Sequence, residues 1–260
     1  MIGIFDSGLG GLTVVKEIKK LMPEIKILYF GDTARLPYGE KSEEIIKKYT
    51  FAACNFLKKR KVKVIIIACH SASSVALNYV KSKISLPIVD VIQAGVKAAI
   101  GKTKSKRIGV IGTRITIKSG TYEKVFKNYD KEIEIIARAT PLLVPLVEEG
   151  WINHYITKEV LKIYLQPFKE EKIDTLLLGC THYPLLKKLI KEIFKNRIAI
   201  VDSSEELAKS IADFFSYKKI KKMKGELVIY LTDIPPEFEK IARIFLGLLP
   251  DKIMRVSLQE

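Results

Sequence analysis

Two stretches of this chain nearly copy each other, and each carries a cysteine at the same place. One is Val64-Ile65-Ile66-Ile67-Ala68-Cys69-His70-Ser71; the other is Thr175-Leu176-Leu177-Leu178-Gly179-Cys180-Thr181-His182. Each is a continuous apolar run, a small residue, a thiol, then hydroxyl and imidazole groups. A run that is apolar at every residue fits a strand buried on both faces of a parallel sheet. The cysteine then falls where the strand gives way to a helix, the edge at which open α/β sheets bind ligands. Two thiols so placed, one from each half of the chain, suggest two acid/base groups facing one substrate.

The other strand-like runs are Ile2–Phe5, Lys26–Phe30, Pro87–Val91, Arg107–Ile111, Ile133–Ala137, Ile198–Val201, Leu227–Leu231 and Lys252–Val256. Helical patterns lie between many of them. Leu12 to Met22 and Ser42 to Lys59 follow the 3.6-residue apolar period, and Ser203 to Phe215 opens with the Ser203/Glu206 spacing of a capping box. Pro184 sits near a helix start, where its missing N–H costs nothing. Strands alternating with helices predict an α/β fold with parallel sheets. Ile2-Gly3-Ile4-Phe5-Asp6-Ser7-Gly8 recurs as Ile108-Gly109-Val110-Ile111-Gly112-Thr113-Arg114, and the cysteine strands recur at a similar offset, roughly 110 residues and far longer than a solenoid repeat. The reading is therefore two pseudo-symmetric parallel-sheet domains with helices on both faces and a site between them. Residues 1–95 with 206–260 form one discontinuous domain and 96–205 the other. The polar stretch Gly101-Lys102-Thr103-Lys104-Ser105 lies near the boundary.

Composition narrows the classes. At 48% hydrophobic and 28% charged the chain is globular, not disordered. No apolar run approaches the roughly 20 residues of a membrane span, and no basic leader precedes the first strand, so neither membrane nor signal peptide is expected. Three cysteines without a C-x-x-C pair argue against a disulfide framework or a zinc site and for a reducing, cytoplasmic setting. The net charge of +16 raises nucleic-acid binding. Against it, lysine far outnumbers arginine, the residue favoured for bidentate phosphate and base contacts. The positive residues are dispersed, apart from clusters such as Lys58 to Lys61 and Lys218 to Lys224.

Asp6-Ser7-Gly8-Leu9-Gly10-Gly11 is a Gly-rich strand-to-helix turn. It reads either as an anion-binding turn or as a tight turn capped by Asp6. It lacks both the G-x-G-x-x-G spacing and the P-loop lysine. Asp32 to Gly39 reads as a plain loop or as one whose N–H groups hold a carboxylate. A thiol, with its ordinary pKa of about 8.5, switches between acid and base when neighbours tune it. Asp6 and His182 are the neighbours expected of Cys69 and Cys180. Cys54 lies in a helical pattern among Phe51, Ala52, Ala53 and Phe56 and reads as structural. Glu148 and Glu149 follow the apolar run Leu143 to Val147, as surface acids or as a partner for an imidazole.

These motifs together resemble the glutamate racemases over nearly the whole chain. The resemblance rests on Gly3 to Val14, on Gly31-Asp32-Thr33 with Pro37-Tyr38-Gly39, on Val144 to Gly150, and on Leu178 to Leu186. It implies cofactor-independent two-base racemisation of glutamate for peptidoglycan synthesis, with no metal, in a cytoplasmic enzyme expected to be a homodimer. It implies that Cys69 with Asp6 serves the D-enantiomer. Cys180 serves the L-enantiomer with His182, and Glu148 partners His182. It implies that Ser7, Tyr38, Gly39, His70, Ser71 and Thr181 hold the substrate, with Asp6, His182, Thr113 and Thr116 in the same cleft. The chain departs at His70-Ser71, where the family has Asn-Thr, and at Thr140, where it often has cysteine. His70 either donates from its imidazole, a group that ordinarily titrates near neutrality, or turns away and leaves only its backbone. An aspartate racemase of the same superfamily is the alternative; His182 favours glutamate, since that branch resembles Gly-Cys-Thr-Glu there. The non-enzyme alternative, a basic nucleic-acid or topoisomerase-interacting protein, rests on charge alone.

Overall fold

The strand-like runs pair into two sheets, and the two sheets share one strand order. In chain order the elements are β1 (Ile2–Asp6), α1 (Leu12–Leu21), β2 (Ile27–Gly31), α2 (Glu43–Lys59), β3 (Val64–Ile67), α3 (His70–Lys83), β4 (Ile88–Asp90) and α4 (Val91–Lys102). There follow β5 (Arg107–Gly112), α5 (Arg114–Lys118), α6 (Thr121–Tyr129), β6 (Glu134–Ala139), α7 (Leu143–Glu148), α8 (Tyr155–Glu170) and β7 (Thr175–Gly179). The chain ends with α9 (Lys187–Ile193), β8 (Ala199–Asp202), α10 (Ser203–Phe214), β9 (Leu227–Leu231), α11 (Phe238–Leu246) and β10 (Lys252–Arg255). This is a computed structural model, and it describes residues 1–215 and 225–258. The basic cluster from Lys218 to Lys224 lies outside the described residues.

One sheet runs β10-β9-β2-β1-β3-β4 and the other β6-β5-β7-β8. Every ladder is parallel. The order β2-β1-β3-β4 repeats as β6-β5-β7-β8, so the repeat in sequence is a repeat in topology. The additional strands β9 and β10 return from the C-terminal region to extend the first sheet beside β2.

Burial explains the strand chemistry. All residues of β1, β2, β3 and β7 are buried. Phe5, Phe30, Ile65 and Ile67 face one core with Ala53, Leu57, Ala72 and Ala76 of α2 and α3. Ile4, Tyr29 and Ile66 face the opposite core with α1. That second core continues through Leu161, Leu165 and Ile190 of α8 and α9 against Leu176 and Leu178, joining the two halves. The remaining face of the second sheet packs on α4 and α6 through Val96, Ala99, Tyr122 and Phe126.

The helix ends obey local rules. Ser42 caps α2, with Glu43 and Glu44 in its first turn and Lys58 and Lys59 in its last, signs that suit the helix dipole. The capping box expected of Ser203 is not what forms. The cap of α10 is Asp202, whose carboxylate accepts from the Ser204 N–H at 2.9 Å. A carboxylate on extended backbone answers the exposed N–H groups and the positive helix end together, and Glu206 instead pairs with Lys102 and Lys209.

Candidate active site

The C-terminal ends of β1, β3, β5 and β7 supply the reactive side chains. Asp6 is the last residue of β1, and Cys69 occupies the cap position of α3 after β3. Thr113 caps α5 after β5. Cys180 follows β7 directly and leads into a short 3-10 turn, Tyr183–Leu186, with Pro184 in its first turn. Both thiols line one cavity of about 340 Å³, together with Ser7, Tyr38, Gly39, His70, Ser71, Thr113, Glu148, Thr181 and His182.

The two thiols meet different surroundings. Cys69 Sγ donates to Ser7 Oγ at 3.3 Å. Burial first, and then the charge of Asp6, pushes its pKa up to about 12, so a thiol is its resting form. Cys180 Sγ lies 3.6 Å from His182 Nδ1, and His182 Nε2 lies 3.0 Å from Glu148 Oε1. Burial alone disfavours an imidazolium there, but the bonds to Cys180 and Glu148 overcome it and raise His182 to about 10. His182 thus holds a proton between a sulfur and a carboxylate. Phe245 of α11 meets its ring edge-on at 5.3 Å.

Asp6 is fully buried and does not line the cavity. Its Oδ2 accepts from the Gly8 N–H at 3.0 Å, while its Oδ1 has no hydrogen-bond partner among the described residues. Burial raises its pKa, opposed by the His182 cation. Gly10 lies in the same turn. A Cβ there would sit 2.5 Å from Thr181 Oγ1 and 2.6 Å from His182 Nδ1. The first half can approach the second this closely only through a residue without a side chain.

The remaining groups divide into those that face the cavity and those that hold them. Ser71 Oγ, Thr113 Oγ1 and Thr116 Oγ1 form a hydroxyl triangle, with separations of 2.9, 3.4 and 2.9 Å. Thr116 is fully buried and does not line the cavity; it braces Ser71 and Thr113. The Tyr38 hydroxyl donates to Asp32 Oδ2 at 2.6 Å, so it is not free to serve a ligand as donor. Thr232 Oγ1 donates to Asp32 Oδ1 at 2.9 Å, tying this loop to the C-terminal return. The Asp32 side chain therefore organises the loop internally.

His70 lies in the cavity wall, but burial lowers its pKa to about 3, and the titration near neutrality expected of an ordinary histidine does not occur. Cys54 is buried and remote from the cavity lining, as a structural cysteine should be. Leu36, Pro37, Pro141, Val144 and Pro145 form an apolar wall that the sequence reading did not single out as such. Leu36, Pro37, Val144 and Pro145 fall within motifs already noted, whereas Pro141 sits in a loop without periodicity. Among the described residues no group of three or more His, Cys, Asp or Glu side chains is placed to hold a metal, and no helix is long and apolar enough to cross a membrane.

Comparison with known proteins places this geometry. Residues 11–211 match the family model for Asp/Glu/hydantoin racemases. The glutamate racemase of Geobacter metallireducens is 42% identical over 261 residues, covering 99% of this chain and 97% of the relative. The crystal structure of a glutamate racemase isoform from Bacillus anthracis superposes with a TM-score of 0.93 at 36% identity, covering 99% of this chain and 97% of that one. The glutamate racemase of Francisella tularensis, solved with D-glutamate, gives 0.91 at 37% identity, again covering 99% and 97%.

Proposed function

The chain belongs to the Asp/Glu/hydantoin racemase family, and from that premise we propose that it interconverts L- and D-glutamate by a two-base mechanism. The observation that carries the reading is the pair of thiols. They come from equivalent strand ends of a duplicated fold, open into one cavity, and differ in their proton partners.

With L-glutamate, the Cys180 thiolate takes the α-proton, and the electron pair delocalises into the carboxylate. The Cys69 thiol then delivers its proton to the opposite face of that carbanion. The product is D-glutamate, Cys180 is now a thiol, and Cys69 a thiolate. The D-enantiomer runs the same steps in reverse. His182, held by Glu148, provides positive charge beside Cys180; Asp6 serves Cys69 on the other side. Ser7, Tyr38, Gly39, His70, Ser71, Thr113 and Thr181 surround the substrate, and Thr116 acts through Ser71 and Thr113. A dry cavity strengthens each of these contacts.

The sorting of the strands into two sheets supports a division into residues 1–95 with 206–260, and 96–205. Work without a cofactor, in a cytoplasmic homodimer that supplies D-glutamate to peptidoglycan synthesis, belongs to the same proposal; the family resemblance is its support. The test is circular dichroism of L- and of D-glutamate with purified protein and no additive. Ellipticity should decay to zero from both sides, and in deuterated water deuterium should enter Cα. No decay, or decay only with pyridoxal phosphate, would overturn the reading.

A further inference from the structure

His70, in the wall of the cavity, does not stand alone. Its Nδ1 lies 2.7 Å from the hydroxyl of Tyr122, and the two rings stack at 6.3 Å between centroids. Tyr122 is fully buried in α6, against Phe126. His70 is the first residue of α3. The contact therefore crosses between the halves: an α3 residue that follows a strand of the first sheet is held by an α6 residue that packs on the second.

The direction of the bond follows from chemistry. The buried Ser203 hydroxyl, with no other partner among the described residues, donates to the Tyr122 oxygen, which leaves the phenol proton for His70 Nδ1, and an undonated phenol proton in a dry site is costly. An imidazole nitrogen with a free lone pair is the stronger acceptor of the two groups. Tyr122 therefore donates, and Nδ1 accepts. A neutral imidazole carries one proton, so that proton sits on Nε2. Burial keeps the ring neutral, with its pKa near 3. Nε2 has no partner among the described residues, and the ring lines the cavity that holds both thiols.

We propose that Tyr122 is a positioning residue that fixes His70 as an Nε2–H donor to a carboxylate of the amino-acid substrate. The inference rests on the racemase reading for its ligand, but the tautomer does not. The chemistry it selects is a dicarboxylic amino acid, whose charged oxygen rewards a neutral donor in a dry site.

Two measurements test it. The first is ¹⁵N NMR of histidine-labelled protein, with His70 assigned by its loss in His70→Asn. His70 should show a protonated Nε2 and a bare Nδ1, and Nε2 should shift when glutamate is added. A protonated Nδ1 with a bare Nε2, or no response to a glutamate concentration that supports turnover, would overturn the proposal. The second is Tyr122→Phe, alone and in the His70→Asn background. Alone it should raise KM for glutamate about tenfold with kcat within about threefold, as expected for loss of a hydrogen bond to a charged group. In the His70→Asn background it should change KM by less than about twofold. An equal rise in both backgrounds would mark Tyr122 as merely structural and sink the proposal. If the wild-type protein leaves glutamate unchanged, the racemase reading fails by itself, and the tautomer is still decided by the spectrum.

Discussion

Replacing Glu148 with glutamine isolates the charge that holds the His182 proton. The side chain is nearly isosteric and keeps an oxygen for His182 Nε2, now 3.0 Å from a carboxylate oxygen. What changes is the negative charge. Hydrogen bonds to charged groups are worth about 1.5–3 kcal/mol. The Glu148 side chain is 40% exposed, so the lower end of that range applies. Each pKa unit corresponds to about 1.4 kcal/mol, so His182 should fall by about one unit from about 10. On the proposed mechanism racemisation needs that proton beside Cys180, so the alkaline limb of kcat/KM moves toward neutrality by the same interval. Near pH 9.5 the variant should drop about fourfold relative to its own value near pH 7.5, while the wild type stays nearly level. The enantiomers are mirror images with an equilibrium constant of unity, so kcat/KM must fall equally from L- and from D-glutamate. Polarimetric rates in both directions across pH provide the assay, with Glu149→Gln as a neighbouring-charge control. An alkaline limb that stays in place would refute the claim that Glu148 holds the proton.

Three further substitutions probe other contacts. Cys69→Ala and Cys180→Ala should each cost at least about 10²–10⁴ in kcat/KM in both directions with the fold intact by circular dichroism, whereas Cys54→Ala should turn over normally; full activity in either of the first two ends the two-base scheme. Gly10→Ala places a Cβ 2.5 Å from Thr181 Oγ1 and 2.6 Å from His182 Nδ1, so His182 must move; kcat/KM should fall about a hundredfold or more, and wild-type rates would show that the site yields freely. His70, depressed to about 3 when folded, takes up a proton on unfolding below its ordinary value of about 6.5. The unfolded chain then binds the extra proton, so stability falls as pH drops through that window. His70→Asn removes this term, and urea unfolding should show the variant gaining about 2 kcal/mol on wild type between about pH 7.5 and 5; parallel losses in both proteins would contradict it.

Much of the fold was legible because buried parallel strands write themselves as unbroken apolar runs. Val64 to Ile67 and Thr175 to Leu178 mark two inner strands, and the duplication around Ile2 and Ile108 sets a matched strand order. The thiols were legible for the same reason, since each follows such a run directly. What escaped is made by residues distant in sequence. No local pattern links Asp32 to Tyr38 and Thr232, or His70 to Tyr122. The cap of α10 went to Asp202 because a carboxylate at the strand end outcompetes the serine that follows it. The ordinary titration of histidine failed at His70 because burial, invisible in composition, dominates there.

The unequal neighbourhoods of the two thiols make the free enzyme lopsided. Cys69 rests as a thiol, whereas Cys180 lies beside the His182 imidazolium. On the proposed mechanism each turnover from L to D moves the proton from Cys69 and leaves one at Cys180. Another L-glutamate finds no base until that arrangement relaxes through exchange with water. Under a large excess of one enantiomer this relaxation becomes its own kinetic step. It would slow in deuterated water yet ignore deuterium at Cα, and a maximal rate governed only by the Cα label would exclude it.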